Sequence, residues 1–152
     1  MKITFYKGDE IKNKQEIINF CYEPFQKETD ILDDNIIAVL SSDKIIGVVF
    51  LLTDIKKLKK DLHDNLVKQG VKEGDCYLYN FCISKEERKK GYGIKLLNEC
   101  HNYLKNKCKN IFLFVESKNS GAIYLYNKAK YIVHMASPSG FIMKKNIMKK
   151  IK

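Results

Sequence analysis

Five consecutive apolar residues, Ile111-Phe112-Leu113-Phe114-Val115, constrain the fold of this chain more than any other segment. An apolar run of this length, without alternation, is typical of a strand that is buried on both faces of a sheet. The segments before and after it, from Gly93 to about Lys107 and from Asn119 to Lys130, instead carry apolar residues at helical spacing. This pattern predicts an α/β fold in which helices flank a sheet.

Other short apolar segments predict that the sheet has mixed topology. Further strands are expected at residues 3–6, 36–40, 45–52, 76–83, 131–135 and 141–143. The strands at 36–40 and 45–52 are separated by a short polar turn, which predicts a hairpin. The chain has 152 residues and contains neither a repeat nor a Pro/Gly/Ser-rich linker, so we expect one domain over 1–152.

Helical spacing predicts two further helices before the strand at 76–83. The first covers residues 11–21, with Asp9 as its cap and an interruption at Pro24. The second covers 54–70 and ends at Gly70. Its predicted apolar stripe comprises Ile55, Leu58, Leu62, Leu66 and Val67.

The chain is basic, with 28 Lys and Arg residues against 18 Asp and Glu residues and a formal net charge of +10. Base readout and bidentate phosphate contacts favour arginine, which occurs once, at Arg88. We therefore do not expect a nucleic-acid partner, and interpret the lysine clusters at 56–60 and 144–152 as solvated surfaces. The same positive field favours small anions such as phosphates. No apolar run approaches the roughly 20 residues of a membrane span, and none follows the N-terminus as in a secretory signal, so no membrane partner is expected.

The five cysteines and three histidines show no spacing typical of a metal site. No CxxC pair occurs, so we predict no metal. An odd number of cysteines without a secretory signal is typical of a reducing compartment, which predicts a cytoplasmic protein. Cys21, Cys82 and Cys100 lie among apolar residues and are predicted to act as small hydrophobic side chains.

The segment Arg88-Lys89-Lys90-Gly91-Tyr92-Gly93-Ile94 joins the predicted strand at 76–83 to the helix that follows. Glycines at such a junction let the backbone approach a ligand and leave amide N–H groups unobstructed. Free N–H groups and the positive end of the helix dipole together suit an anion such as a pyrophosphate. The segment is neither a Walker A loop nor a complete dinucleotide-binding loop. A tight turn with charged flanks is the alternative interpretation.

A second recognisable spacing lies downstream, in Asn119-Ser120-Gly121-Ala122-Ile123-Tyr124-Leu125-Tyr126. Together with the order of strands and helices, the two segments resemble the GCN5-related N-acetyltransferase (GNAT) family. The acyl-CoA signature of that family is Gln or Arg, two residues, Gly, one residue, then Gly or Ala. It is matched here by Arg88, Gly91 and Gly93.

The later signature of the family is Asn, two residues, Ala, two residues, Leu-Tyr and, after a few residues, Gly-Phe. It is matched by Asn119, Ala122, Leu125 and Tyr126, whereas Lys130-Tyr131 replaces Gly-Phe. The resemblance covers the whole chain in the order of its elements and is sharpest from Tyr77 to Tyr131.

The resemblance implies a mixed, mostly antiparallel sheet that is splayed between its fourth and fifth strands, at 76–83 and 111–116. Acetyl-CoA would bind in the splay as the acetyl donor, with its pantetheine arm along the fourth strand and its pyrophosphate on the loop at 88–94. The residues so implied in donor binding are Phe81, Cys82, Ile83, Arg88, Lys89, Lys90, Gly91, Tyr92, Gly93, Ile94 and Asn119.

Acetyl transfer to an amine requires a proton for the leaving thiolate and a route for the proton that the amine loses. The resemblance implies that Tyr126 lies near the thioester sulfur and supplies the first of these protons. A packed helical tyrosine is the alternative, and it suits Tyr124 better than Tyr126.

No general base is assigned from the sequence. Family members that acetylate ribosomal-protein N-termini carry a glutamate where this chain has Phe114. Glu116 lies two residues on and faces the same side of the strand, either as a base acting through water or as an ordinary strand-end charge. Tyr79 or an ordered water chain is also open.

The expected acceptor is a primary amine of a small molecule, a peptide or a protein. The resemblance places its site on residues 20–34 and the hairpin, a locally acidic region that suits a cationic amine or is simply a solvated loop. The residues in question are Tyr22, Glu23, Phe25, Glu28, Asp30, Asp33 and Asp34. The helix at 54–70 walls this cleft or extends the fold. A catalytically silent acyl-CoA-binding or interaction module is the alternative function, and a homodimer is left open.

Overall fold

The computed structural model of the protein describes residues 1–25 and 31–148, which contain one seven-stranded sheet and four α-helices. The strands are β1 (Lys2–Lys7), β2 (Asn35–Ser41), β3 (Ile45–Leu52), β4 (Cys76–Ile83), β5 (Asn110–Glu116), β6 (Ile132–Ala136) and β7 (Gly140–Asn146). The helices are α1 (Lys14–Phe25), α2 (Lys60–Lys68), α3 (Tyr92–Leu104) and α4 (Ser120–Lys128). Short 3-10 helices cover Gly8–Glu10, Ile55–Lys57 and Lys85–Glu87.

The sheet is mixed and mostly antiparallel, as predicted. Its strand order is β1-β2-β3-β4-β5-β7-β6. Every neighbouring pair is antiparallel except β4 and β5, which run parallel. The parallel pair is linked by the crossover helix α3, the kind of long connection that parallel neighbours require.

Helices cover both faces of the sheet. On one face, α3 and α4 pack against an apolar cluster that includes Leu51, Leu78 and Leu113. On the other face, α1 packs Ile17 and Cys21 against residues of β2 and β3. The 3-10 helix Ile55–Lys57 and α2 cover the neighbouring part of that face, against the start of β4 and β5. Burial on both sides explains why β2, β3 and β5 are nearly continuous apolar runs.

The structure corrects two details of the predicted helices. Asp9 lies in the 3-10 helix Gly8–Glu10 and does not cap α1, which continues through Pro24 to Phe25. The predicted helix over 54–70 is divided into Ile55–Lys57 and α2, followed by Gly70 in the left-handed conformation expected at a helix end. Val67 is 48% exposed, because it lies about 100° round the helix from the buried Leu66.

The five cysteines are all buried. Cys21, Cys82 and Cys100 are free thiols in the apolar interior, as predicted. Cys76 and Cys108 are in bonding contact, and their Cα atoms are 6.0 Å apart, a separation typical of a disulfide. The sequence did not predict this pair, which joins the first residue of β4 to the segment that precedes β5.

Candidate functional site

The β4 and β5 strands diverge after a short paired segment. Only Cys76 with Ile111 and Tyr77 with Phe112 are in register, although the strands have 8 and 7 residues. From Leu78 onward, no residue of β4 pairs with β5, so the main-chain groups on that edge lack a strand partner. Such groups need another partner when they are buried. The predicted splay is therefore present, and it opens towards the loop that leads into α3.

A β-bulge lies at the middle of β4, inside the splay. Tyr79 is opposite Phe50 and Cys82 is opposite Val48, so Asn80 and Phe81 together face the single residue Val49. Asn80 has a φ of 49°, a left-handed conformation that asparagine tolerates better than most residues. The bulge turns the following residues of β4 relative to β5 and increases the local twist.

The three β4 residues that were expected to line the pantetheine arm have different surroundings. Phe81 and Ile83 are partly buried beside α3 and α4. Cys82 instead belongs to the cluster under α1, where a hydrogen bond with the Cys21 thiol and burial both raise its pKa. A thiol of this kind stays protonated and is a poor nucleophile. The backbone of these residues, rather than the Cys82 sulfur, is available to a ligand in the splay.

The loop from Arg88 to Ile94 has the backbone geometry of an anion site. Gly91 has a φ of 84° and stands at the N-cap position of α3, where no side chain caps the helix. The first N–H groups of the 13-residue helix therefore have no side-chain partner. A methyl group at Gly91 would meet no atom within 4 Å, so the space beside the loop is open. Uncapped N–H groups at an open helix N-terminus attract an anion.

The basic residues of this loop are exposed, and two of them make polar contacts within the protein. Arg88 Nε donates to the Ile83 carbonyl oxygen over 3.2 Å, which ties the loop to the end of β4. Lys90 Nζ is 3.0 Å from Glu87 Oε2, whereas Lys89 is held at a φ of 64°. Two left-handed residues within three positions make the loop turn sharply between β4 and α3.

The helix α4 packs beside α3 on the same face of the sheet. Asn119 Oδ1 accepts a hydrogen bond from the Ala122 N–H over 3.1 Å and thereby caps the helix. Asn119 therefore has a structural role in addition to the predicted ligand contact. A methyl group at Gly93 would lie 3.4 Å from Leu125 Cδ2, so the start of α3 closely approaches α4.

Tyr126 lies on the buried side of α4 and faces β4. Its ring centroid is 6.3 Å from that of Phe81 and 5.7 Å from that of Tyr131, and the residue is 6% exposed. Burial, reinforced by Cys82 and Tyr77, raises the pKa of its hydroxyl. Tyr124 is 69% exposed, so the expectation that Tyr124 is the packed tyrosine is wrong.

The position of the family glutamate carries no carboxylate in this chain. Phe114 occupies that position and is 42% exposed, and Glu116 is an exposed residue at the end of β5. Tyr79 donates its hydroxyl to Asn35 Oδ1 over 3.0 Å, and burial raises its pKa to about 12. A phenol that holds its proton this firmly is a poor general base at neutral pH.

Only part of the expected acceptor region can be described. Glu28 and Asp30 lie outside the described residues, and the side chains of Tyr22, Glu23 and Phe25 are likewise not described. Asp33 and Asp34 are exposed, and Asp34 is 3.9 Å from Lys57 Nζ. Leu66 of α2 is buried with Tyr77 and Phe112, so α2 covers the paired end of β4 and β5.

Sequence reasoning missed two buried polar pairs around the site. Asn35 is fully buried and binds Tyr79, and His101 is 2.7 Å from the Tyr131 hydroxyl. The only signal for His101 was its place on the apolar side of α3. Within residues 1–25 and 31–148, no cluster of three or more His, Cys, Asp or Glu could hold a metal, and no helix is long and apolar enough to cross a membrane.

Comparison with known proteins agrees with this geometry. A model of the acetyltransferase (GNAT) family matches residues 6–131 of the chain. No curated protein sequence matches it. The ribosomal-protein-S18-alanine N-acetyltransferase from Escherichia coli superimposes with a TM-score of 0.68 at 13% identity, over 99% of this chain and 97% of the other.

Two further solved structures are similar over nearly their whole length. The acetyltransferase of the GNAT family from Streptococcus pneumoniae has a TM-score of 0.66 at 16% identity, over 95% of this chain and 99% of the other. NAA60 from Arabidopsis thaliana, in complex with a bisubstrate analogue, has a TM-score of 0.68 at 15% identity, over 95% of this chain and 98% of the other. At such identities the likeness concerns the fold alone.

Proposed function

Because the chain belongs to the acetyltransferase (GNAT) family, we propose that it transfers an acetyl group from acetyl-CoA to a primary amine. The acceptor is a small molecule, a peptide or a protein, and residues 1–152 form one N-acetyltransferase domain. The observation that carries this proposal is the open splay between β4 and β5, which ends at the uncapped glycine loop of α3. An elongated ligand with an acyl-pantetheine arm and a pyrophosphate suits that combination.

The donor would be held mainly by backbone groups. In this proposal the unpaired edge of β4 at Phe81, Cys82 and Ile83 bonds to the amides of the pantetheine arm. The N–H groups from Lys89 to Ile94 bind the pyrophosphate, and Arg88 adds charge at the edge of the loop. The cap uses only the Oδ1 atom of Asn119, so in this proposal its side-chain NH2 group would donate to the pantetheine arm.

The reaction requires two proton movements. The amine nitrogen attacks the thioester carbonyl carbon, the C–S bond breaks, the nitrogen loses a proton and the thiolate gains one. An alkyl amine has a pKa of about 10, so it must be deprotonated before attack. Backbone N–H groups of β4 near Ile83 would polarise the carbonyl oxygen. Burial keeps the Tyr126 phenol protonated, so it has a proton to donate when the thiolate forms.

One observation favours a second candidate, a catalytically silent acyl-CoA-binding module. Phe114 replaces the glutamate of related enzymes, and the next carboxylate on the same side of β5 is the exposed Glu116 at the end of the strand. A protein that binds acyl-CoA without transferring the acyl group would not need a general base. Formation of an acetylated product distinguishes the two candidates.

The test combines donor binding with an acceptor screen. Calorimetric titration with acetyl-CoA would measure binding, and release of the CoA thiol would measure turnover. The amine panel contains spermidine, kanamycin, a peptide with a free N-terminus and an N-blocked peptide with one internal lysine. Mass spectrometry would identify the acetylated product. Donor binding with an acetylated product supports the transferase, donor binding without any product supports the silent module, and absence of donor binding contradicts both.

A further inference from the structure

Tyr131 stands where the family signature has phenylalanine, and its additional hydroxyl group has a buried partner. The residue is 3% exposed, and its Oη is 2.7 Å from Nε2 of His101, which is 8% exposed. Both polar groups are thus removed from water and satisfied by one another. Removal of one partner of such a buried pair lowers the stability of the fold, because the other partner stays buried without a hydrogen bond.

Tyr131 is in direct contact with the proposed acid. Its backbone N–H donates to the Tyr126 carbonyl oxygen over 3.0 Å, and the two ring planes meet at 60°. The Phe81 ring of β4 also packs against Tyr126, edge-on at 80°. The Tyr126 ring therefore contacts both a ring of the donor strand and a ring that His101 binds.

The hydrogen bond also connects the two helices of the donor site. His101 lies in α3, whose N-terminus follows the glycine loop, and Tyr131 lies three residues beyond the end of α4, which carries Tyr126. In the described part of the chain, this is the only side-chain hydrogen bond between α3 and the segment from α4 to β6. It fixes the end of α4 relative to the helix that would hold the pyrophosphate.

We propose that His101 and Tyr131 are positioning residues that hold the Tyr126 hydroxyl in place for acetyl transfer. This inference rests on the function proposed above, in which Tyr126 protonates the leaving thiolate. A purely structural pair would stabilise the fold without regard to what Tyr126 does. The two roles differ in whether the effect on catalysis depends on the Tyr126 hydroxyl.

A double-mutant cycle separates the two roles. Tyr131→Phe is made in the wild-type protein and in Tyr126→Phe, and kcat and KM for acetyl-CoA are measured with the panel amine that gives the highest turnover. We expect Tyr131→Phe to lower kcat about 3- to 10-fold in the wild type, with little change in KM, and to have no further effect in Tyr126→Phe, since contacting residues are energetically coupled. Equal factors in both backgrounds would overturn the positioning role.

Two further variants keep the test independent of folding. His101→Gln retains a hydrogen-bonding group for Tyr131 and should keep kcat within about twofold of the wild type. His101→Leu lacks such a group and should lower kcat as much as Tyr131→Phe does. Tyr103→Phe removes a hydroxyl from the same helix at a ring that stacks on Phe5, and should leave kcat unchanged. A loss of kcat in His101→Gln as large as in His101→Leu, with both folded by circular dichroism, would contradict the inference.

The cycle also separates failure of this inference from failure of the proposed function. If Tyr126→Phe alone keeps full kcat, the acid role is wrong and the positioning role fails with it. If Tyr126→Phe lowers kcat but Tyr131→Phe in the wild type does not, the acid role stands and only the positioning role is overturned.

Discussion

At the scale of single residues, the two glycines of the loop are needed for different reasons. Gly91 has a φ of 84°, so any other residue would strain the backbone even though the space beside it is empty. Gly93 has ordinary helical geometry and would place a side chain beside Leu125 at the mouth of the donor site. Substitution of Gly93 therefore tests ligand binding without the backbone strain that substitution of Gly91 introduces.

We expect Gly93→Glu to abolish binding of acetyl-CoA while the protein remains folded. The added carboxylate would lie in the first turn of α3, where it benefits from the helix dipole but repels the pyrophosphate. Calorimetry would measure the affinity, and thermal unfolding would report the fold. Gly93→Gln has the same shape without the charge and should retain more affinity. An unchanged affinity in folded Gly93→Glu would show that the loop does not bind the pyrophosphate.

Tyr126→Phe should lower kcat on the order of 10²-fold and leave KM for acetyl-CoA nearly unchanged. The phenol acts only when the thiolate forms, and its raised pKa limits the driving force for proton transfer, which favours the lower end of the range for acid catalysis. The loss should shrink as the pH rises towards 8, because CoA thiolate then leaves more easily without a proton. Steady-state kinetics over this pH range would measure both effects.

Tyr124→Phe is the matched control for this substitution. Tyr124 is 69% exposed and points about 200° away from Tyr126 around α4, so loss of its hydroxyl should cost little activity. Full kcat in Tyr126→Phe at every pH would mean that the tyrosine only packs and that solvent protonates the thiolate.

At the scale of secondary-structure elements, the ends of α3 and α4 are built differently. The N-terminus of α4 is capped by Asn119, whereas that of α3 follows Gly91 and has no side-chain cap. A capped helix end satisfies its own N–H groups, and an uncapped one leaves them for water or a ligand. Of the two helices at the splay, α3 is therefore the one suited to an anion.

Asn119 is expected to have two separable roles. Asn119→Ala should lower the free energy of unfolding by about 1 kcal/mol, because the cap to the Ala122 N–H is lost. Asn119→Ser retains a capping oxygen and should keep nearly full stability. If the Asn119 amide also binds the pantetheine arm, both variants should raise KM for acetyl-CoA about fivefold, the effect of one hydrogen bond. A normal KM in Asn119→Ser would restrict the residue to its capping role.

At the scale of the whole molecule, burial of His101 couples folding to pH. Burial, together with the positive charge of Lys145, lowers the pKa of His101 from 6.5 to about 4. The unfolded chain therefore binds a proton between these values that the folded protein does not bind. The free energy of unfolding is therefore highest, as far as His101 is concerned, above pH 6.5. It decreases as the pH falls towards 4, because the unfolded chain then gains a proton that the folded protein does not take up.

We expect the free energy of unfolding to decrease by up to about 3 kcal/mol between pH 6.5 and 4 on account of His101 alone. Urea titrations at a series of pH values would measure this decrease. In His101→Phe the slope over the same range should be smaller. Equal slopes in the wild type and His101→Phe would show that His101 titrates alike in the folded and unfolded states.

Much of the fold was predictable because its signals are local. The apolar run at 111–115, the glycine loop and the spacing from Asn119 to Tyr126 each act over a few residues, through burial, backbone conformation and capping. They predicted β5 and the starts of α3 and α4 to within one residue, whereas the capping role of Asn119 was not predicted. The prediction of complete burial was wrong at Phe114, because β5 leaves its pairing with β4 after Phe112 and exposes that face.

The sequence by itself determined the order of the elements, the family resemblance and the position of the glycine loop. Only the tertiary structure decided how far β4 and β5 separate, that Asn80 forms a bulge, and that Tyr79 and Tyr131 are bound by Asn35 and His101. These partners are 44 and 30 residues apart along the chain. A local pattern specifies what a segment can form, but the partner of a buried polar group depends on which distant segment the sheet brings next to it.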